Sequence, residues 1–187
     1  MLNEPSLSEL DVASCLVRAL VLYSLAEFQS GHCTTIHVVA ENGSFRISDD
    51  GRGHAIERTV AGLPYLSFIY THLEYPFVPP TEAPIQLHGI GMSLINVLCS
   101  ELAVVVHKPD ATLRMSFRNG ALRDQEVSEA RAERTGNTIS GTVVRPFSQG
   151  FDGSALNRWL RSIKTSAPSL KLHFNGQEVH ALSQSDA

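Results

Sequence analysis

The chain has 187 residues, 43% of them hydrophobic, enough for one domain that buries roughly 70% of the surface its unfolded form exposes. A net charge of −4 and a pI near 6.0 argue against a surface built to neutralise phosphate backbones, so no direct nucleic-acid partner is expected. Cys15, Cys33 and Cys99 are an odd number without Cys-x-x-Cys spacing, which suggests neither a disulfide framework nor a zinc site and fits a reduced, cytoplasmic protein.

From the N-terminus, residues 1–7 read as frayed. Leu10, Ala13, Leu16, Val17, Leu20, Val21 and Leu25 then recur at helical spacing up to Gly31, where a glycine can close the helix. Ser14, Arg18 and Ser24 interrupt its apolar run, so it reads as a buried amphipathic helix with no membrane role. The period changes to two over Thr34–Glu41 and Ser44–Ser48, and Asn42-Gly43 between them predicts a hairpin that delivers Asp49.

Ile56 to Glu74 is helical in part, and the prolines of Tyr75–Pro84 predict a loop. Met92, Leu94, Ile95, Val97 and Leu98 mark a second buried helix. Strands follow at Leu102–Lys108, Thr112–Arg118, Ala121–Val127 and Thr142–Phe147, turning at Pro109-Asp110-Ala111 and Asn119-Gly120. A helix capped by Asp152 or Ser154 carries Leu156, Trp159, Leu160 and Ile163. Strands at Leu170–Phe174 and Glu178–Leu182, joined by Asn175-Gly176, precede a polar tail at 183–187. Antiparallel runs interrupted by helices predict an α+β fold: a two-layer sandwich whose mixed, mainly antiparallel sheet is covered on one face by helices, over a single domain at 1–187.

The chemistry begins at Asp49-Asp50-Gly51-Arg52-Gly53. A carboxylate only accepts, so at the floor of an apolar pocket Asp49 can take the exocyclic amino group of adenine. Gly51 and Gly53 let the chain turn and let a flat base approach the backbone. Taken alone, the same residues also read as a turn after a strand. A second element, Gln86-Leu87-His88-Gly89-Ile90-Gly91-Met92-Ser93, sits between the proline-rich loop and an apolar helix, where free N–H groups and the helix dipole can seat phosphate. A third, Ser140-Gly141-Thr142-Val143-Val144-Arg145, is by itself an ordinary strand.

Together with Gly31-His32-Cys33, these ordered motifs resemble the Bergerat-fold (GHKL) ATPases: the gyrase B, MutL, heat-shock chaperone and histidine-kinase group. Within it they most resemble the gyrase B ATPase domain of type IIA topoisomerases, over residues 8–182. The resemblance implies an adenine nucleotide, ATP or ADP, as ligand. Asp49 would bind the adenine amino group and Gly53 would line the base, with Gly51 and Arg52 in the same nucleotide-binding loop. Thr142 would support Asp49 through a water, and Leu87, His88, Gly89, Ile90 and Gly91 would wrap the phosphates. Residues of about 57–86 would form a lid.

The resemblance also marks departures on the first helix, where the family carries a glutamate that activates water and, four residues on, an asparagine that holds magnesium. Here those positions are Ala19 and Tyr23, and no asparagine lies between Ser8 and Ser30. Glu27, one turn beyond Tyr23, corresponds to an acid that pairs with Arg52 in the family, so it reads as structural rather than catalytic. Ile85-Gln86 replaces the family's double glycine. The chain also stops where that family continues into a transducer domain, whose lysine would reach the γ-phosphate.

No metal ligand is therefore assigned, Glu27 is the one catalytic candidate, and the residues present argue against a Mg²⁺ site. The eight histidines show no paired spacing for a metal, and His88 reads as shaping its loop. Three readings follow. The first is a nucleotide-binding regulatory module with a protein partner and little or no hydrolysis. The second is an active ATPase or histidine-kinase-like protein kinase that uses Glu27 or a partner chain, and the third is a scaffold that has lost nucleotide.

Overall fold

The computed structural model describes residues 11–60, 62–72, 91–129, 133–145, 147 and 150–182. Helix α1 spans Val12–Gln29. Asp11 caps it by accepting from the Ser14 N–H at 2.9 Å, and it also takes the Ser14 hydroxyl and the Asp152 N–H. At the other end Gly31, at φ 77°, closes a Schellman motif: the Gly31 N–H meets the Phe28 carbonyl and the His32 N–H meets that of Glu27, both at 2.9 Å. By length and composition α1 could cross a membrane. Its Ala13, Leu16, Val17, Leu20 and Val21 lie in the core instead, as the amphipathic reading anticipates.

Strands β1 (Thr35–Glu41) and β2 (Ser44–Asp49) form the expected hairpin, followed by a two-residue ladder of β3 (Thr59–Val60) with β4 (Leu63–Pro64) and the helices α2 (Tyr65–Thr71) and α3 (Met92–Val97). Then come β5 (Cys99–His107), β6 (Thr112–Arg118), β7 (Ala121–Ser128), β8 (Gly136–Val143), α4 (Gly153–Ser166), β9 (Lys171–Phe174) and β10 (Gln177–Glu178). One eight-stranded sheet runs β10-β9-β1-β2-β8-β5-β6-β7, antiparallel throughout except where β1 meets β9. This is the expected α+β architecture.

Three strands differ from the sequence reading by more than one residue at an end. β5 starts at Cys99 rather than Leu102, and β10 stops at Glu178 instead of running to Leu182. β8 covers 136–143 rather than 142–147. Its sequence, Gly-Asn-Thr-Ile-Ser-Gly-Thr-Val, has little apolar alternation, so a polar strand held between two ladders left no periodic signal.

The alternation of side chains puts a single apolar face toward the helices. One cross-strand row runs Phe174, Val38, Ile47, Ile139, Val104, Met115. Most of its members are buried, as are Leu16, Leu20, Leu156 and Leu160 of the covering helices. Arg18 lies over the Trp159 ring at 5.5 Å and joins α1 to α4. Asn96 ties α3 to its surroundings by donating to the carbonyls of Tyr70 (2.9 Å) and Gly120 (2.8 Å). On the other face, His37 and its register partner His173 stack with ring centroids 4.5 Å apart. The edge strand β7 is exposed along its length.

Leu20 is fully buried, so Leu20→Ala should lower unfolding free energy in urea by about 2–5 kcal/mol. Leu122→Ala on the exposed β7 should stay within about 0.5 kcal/mol.

Candidate functional site

The alternation that buries Phe45 and Ile47 sends Asp49, at the end of β2, to the same helix-covered face. There it lies opposite Ile36, whose other register partner is Leu172, while Val106 on β5 lies opposite Asn137 on β8. Asp49 and Asn137 are thus the two polar members of an otherwise apolar row. A carboxylate in such a place needs donors, because an unanswered buried charge is far more costly than a hydrogen-bonded one.

Asp49 has four donors. Its Oδ1 accepts from the Gly51 N–H at 3.0 Å and the Asn137 N–H at 3.3 Å. Its Oδ2 accepts from the Ser24 hydroxyl at 2.8 Å and from Asn137 Nδ2 at 3.5 Å. Asn137 Oδ1 in turn accepts the His54 N–H at 2.9 Å. Neither Ser24 nor Asn137 figures in the motif reading, and the signals for both were thin. Ser24 reads as a polar break in a helix, and Asn137 lies in a strand without visible period.

Thr142 is not the supporter of Asp49. It faces the opposite side of the sheet, pairs in register with Ser44 and bonds the Ser44 hydroxyl at 3.0 Å, about 16 Å along β2 from Asp49. Asn137, five residues earlier, holds the position that the resemblance gave to Thr142, and an odd offset in a strand reverses the face. Gly136 makes this approach possible. At φ 126°, a Cβ there would lie 2.0 Å from the Asp49 carbonyl oxygen.

The first loop is fastened from both sides. Arg52 donates Nε to Glu27 Oε2 at 3.1 Å and Nη2 to Oε1 at 2.8 Å, and its backbone N–H reaches Oε2 at 3.2 Å. Lys108 Nζ donates to the carbonyls of Arg52 (3.2 Å) and Gly53 (3.0 Å). Gly53, at φ 71°, packs so closely that a Cβ would meet the His107 carbonyl at 2.9 Å. The Arg52 hydrogen bonds hold the Glu27 carboxyl below its usual range despite partial burial, which makes it a weaker base.

Ala19 is buried on α1 and Tyr23 packs against the core one turn later. Tyr23 lies near enough to the buried Tyr70 phenol to add to the effect of burial in raising its pKa. Burial holds the His54 imidazole below the ordinary histidine value, with Asp49 and Glu27 opposing, so the ring is neutral at pH 7. Burial pushes the Cys33 and Cys99 thiols to about 12, which leaves neither a nucleophile. Among the described residues no group of three or more His, Cys, Asp or Glu could hold a metal. Gly91 caps the six-residue α3. Leu87, His88, Gly89, Ile90 and the lid from 73 onward lie outside the described residues.

Asp50 anchors the end of β2 to the start of β1 by accepting from the N–H groups of Thr34 (2.7 Å) and Thr35 (2.8 Å) and from the Thr34 hydroxyl. Partial burial opposes its ionisation, but these donors prevail and hold it well below its unfolded value of 3.8. The folded state therefore binds this proton less readily than the unfolded one. The stabilisation is complete above about pH 5 and is lost as pH falls through the folded value. Asp50→Asn should lower stability at pH 7 by about 1–3 kcal/mol and flatten the acid limb of a stability–pH curve below about pH 4. Gly136→Ala should cost more than about 2 kcal/mol in urea unfolding, through displacement of Asp49.

No family model matches the chain. It is similar to the DNA gyrase B protein of Campylobacter jejuni, 27% identical over 171 residues that make up 88% of this chain and 22% of the relative. It is also similar to the DNA gyrase B protein of Thermotoga maritima, 31% identical over 172 residues, 85% of this chain and 26% of the relative. The chain thus spans about a quarter of the length of these curated relatives. Among solved structures, the topoisomerase IV ATP-binding domain of Francisella tularensis, in complex with a small-molecule inhibitor, superposes with a TM-score of 0.74 at 18% identity, covering 88% of this chain and 85% of that one. With its eight-stranded mixed sheet and Asp49 at the end of a core strand under α1, the chain has the GHKL fold of the gyrase B ATPase type.

Proposed function

We propose that the chain binds an adenine nucleotide, ATP or ADP, at Asp49 and hydrolyses it little or not at all, acting as a cytoplasmic regulatory module with a protein partner. The observation that carries this reading is the contrast between the two ends of α1's inner face. Toward the sheet, Asp49 and the Gly51–Gly53 loop are held in place by Ser24, Asn137, Glu27 and Lys108. One and two turns before Glu27, Tyr23 and Ala19 offer no base and no good metal ligand.

The magnesium ion typical of the fold does not suit these donors. Alanine has no ligand atom and a neutral phenol is a poor one for a hard cation that prefers carboxylate, carbonyl and water oxygens. Glu27, the remaining acid of α1, has both oxygens on Arg52 and a lowered proton affinity. A missing general base costs about 10² to 10⁴ in rate. These facts weigh against the ATPase or kinase reading in which Glu27 completes the site.

Calorimetric titration with ATP, ADP and adenosine, each with and without magnesium, tests the proposal beside a phosphate-release assay. Binding should be indifferent to magnesium, turnover should be absent, and Asp49→Asn should weaken binding by about 1–3 kcal/mol. Magnesium-dependent turnover abolished by Glu27→Gln would replace this reading with the active-enzyme one. Absence of binding by the folded chain would leave only the scaffold.

A further inference from the structure

On the open face of the sheet, β1 and β9 meet through two imidazoles. His37 and His173 are register partners in the parallel ladder, and their rings stack 18° from coplanar with centroids 4.5 Å apart. His37 stands exposed and His173 is half-buried, whereas Val38 and Leu172 on the reverse of the same ladder lie in the core. The ladder is short: it runs from Thr35 opposite Lys171 to Val38 opposite Phe174, and β10 pairs with β9 only through Gln177 and Glu178.

The groups around the stack bear on its protons. Glu178 is the register partner of His173 on β10, and Lys171 lies two residues before His173 on β9. Ser48 faces His37 from β2, with Arg46 and Asp50 two positions to either side, and Arg134 acts on His37 from the segment before β8. Two acids thus stand against three cations, and Asp50 is already committed to the Thr34 and Thr35 donors. Partial withdrawal from water, then His173 and Arg134, hold His37 below the ordinary histidine value of 6.5, with Asp50 opposing. One added proton on the stack can be answered by Asp50 and Glu178. A second sets two cations 4.5 Å apart, inside the Debye length of about 8 Å at physiological ionic strength, so salt screens them incompletely.

We propose that the His37–His173 stack is an acid-sensitive clasp: neutral rings hold β9 to β1, and protonation of both loosens the ladder and releases β9 and β10. A detached strand binds the His37 proton more readily than the folded ladder does, so the clasp is complete above about pH 6.5 and is lost as pH falls through the lowered folded value. On its helix-covered side the same ladder sets Leu172 against Ile36, the register partner of Asp49, so the acid signal reaches the row in which Asp49 sits.

Amide hydrogen exchange on the whole chain tests the clasp, read by mass spectrometry at about pH 7.5 and about pH 5.5 and corrected for the intrinsic pH dependence of exchange. Relative to β5, peptides covering 171–178 should exchange about tenfold faster at the lower pH, the factor that corresponds to one unit of altered proton affinity. His37→Phe and His173→Phe keep a flat ring without a titrating nitrogen, and each should abolish the acceleration. A variant that fails to fold does not blunt the test, because the parent supplies a second measurement: raising salt from about 0.05 M to about 0.5 M should cut the acceleration by screening the two rings. No acceleration in the parent, or an even one across the whole sheet, overturns the proposal. So does an acceleration that a folded Phe variant keeps or that salt leaves unchanged, since another group, such as the buried His54, would then be taking the proton.

Discussion

A carboxylate turned toward the core of a sheet is the constraint around which this molecule is arranged. Asp49 occupies a register position whose neighbours along the row are Ile36, Leu172 and Val106, and four hydrogen-bond donors from three different elements make that position tenable. Each donor imposes a condition. Ser24 fixes the rotation of α1 about its axis, and Asn137 fixes the register of β8. Gly136 must lack a side chain so that β8 can come close enough.

The rotation of α1 is set a second time at its C-terminus. The Schellman closure at Gly31 uses the Glu27 carbonyl, and the Glu27 side chain holds Arg52. One residue thus serves the helix end through its carbonyl and the loop after β2 through its carboxylate, and the second contact explains why an acid stands here although Ala19 and Tyr23 supply neither base nor metal ligand. The loop after β2 needs the Glu27 carboxylate whether or not anything is hydrolysed, whereas no packing contact requires a glutamate at Ala19, where small size suits burial.

Much of this was legible from the residues. The three Asn-Gly pairs at 42–43, 119–120 and 175–176 all adopt positive φ at both positions, and each turns a hairpin where the sequence placed one. The helical period of α1 survived its polar interruptions because Ser14 and Ser24 are themselves buried and hydrogen-bonded. What escaped was β8. A strand paired on both sides takes its definition from its neighbours' ladders, so Asn137 and Thr138 need no apolar pattern, and a Gly-Thr pair five residues later looked like the better candidate. Its hydroxyl faces the other side of the sheet.

The parallel pairing of β1 with β9 has a consequence for how the chain comes together. Residues 35–38 of β1 find their partners at 171–174, across most of the sequence. Until β9 has emerged from the ribosome, β1 carries an open edge, and the row that seats Asp49 lacks Leu172. Local hairpins such as β1–β2 and β5–β6–β7 can form as soon as they are made. The Asp49 end of the sheet is completed only when the last strands of the described chain arrive, so the order of synthesis delays the site relative to the scaffold that holds it.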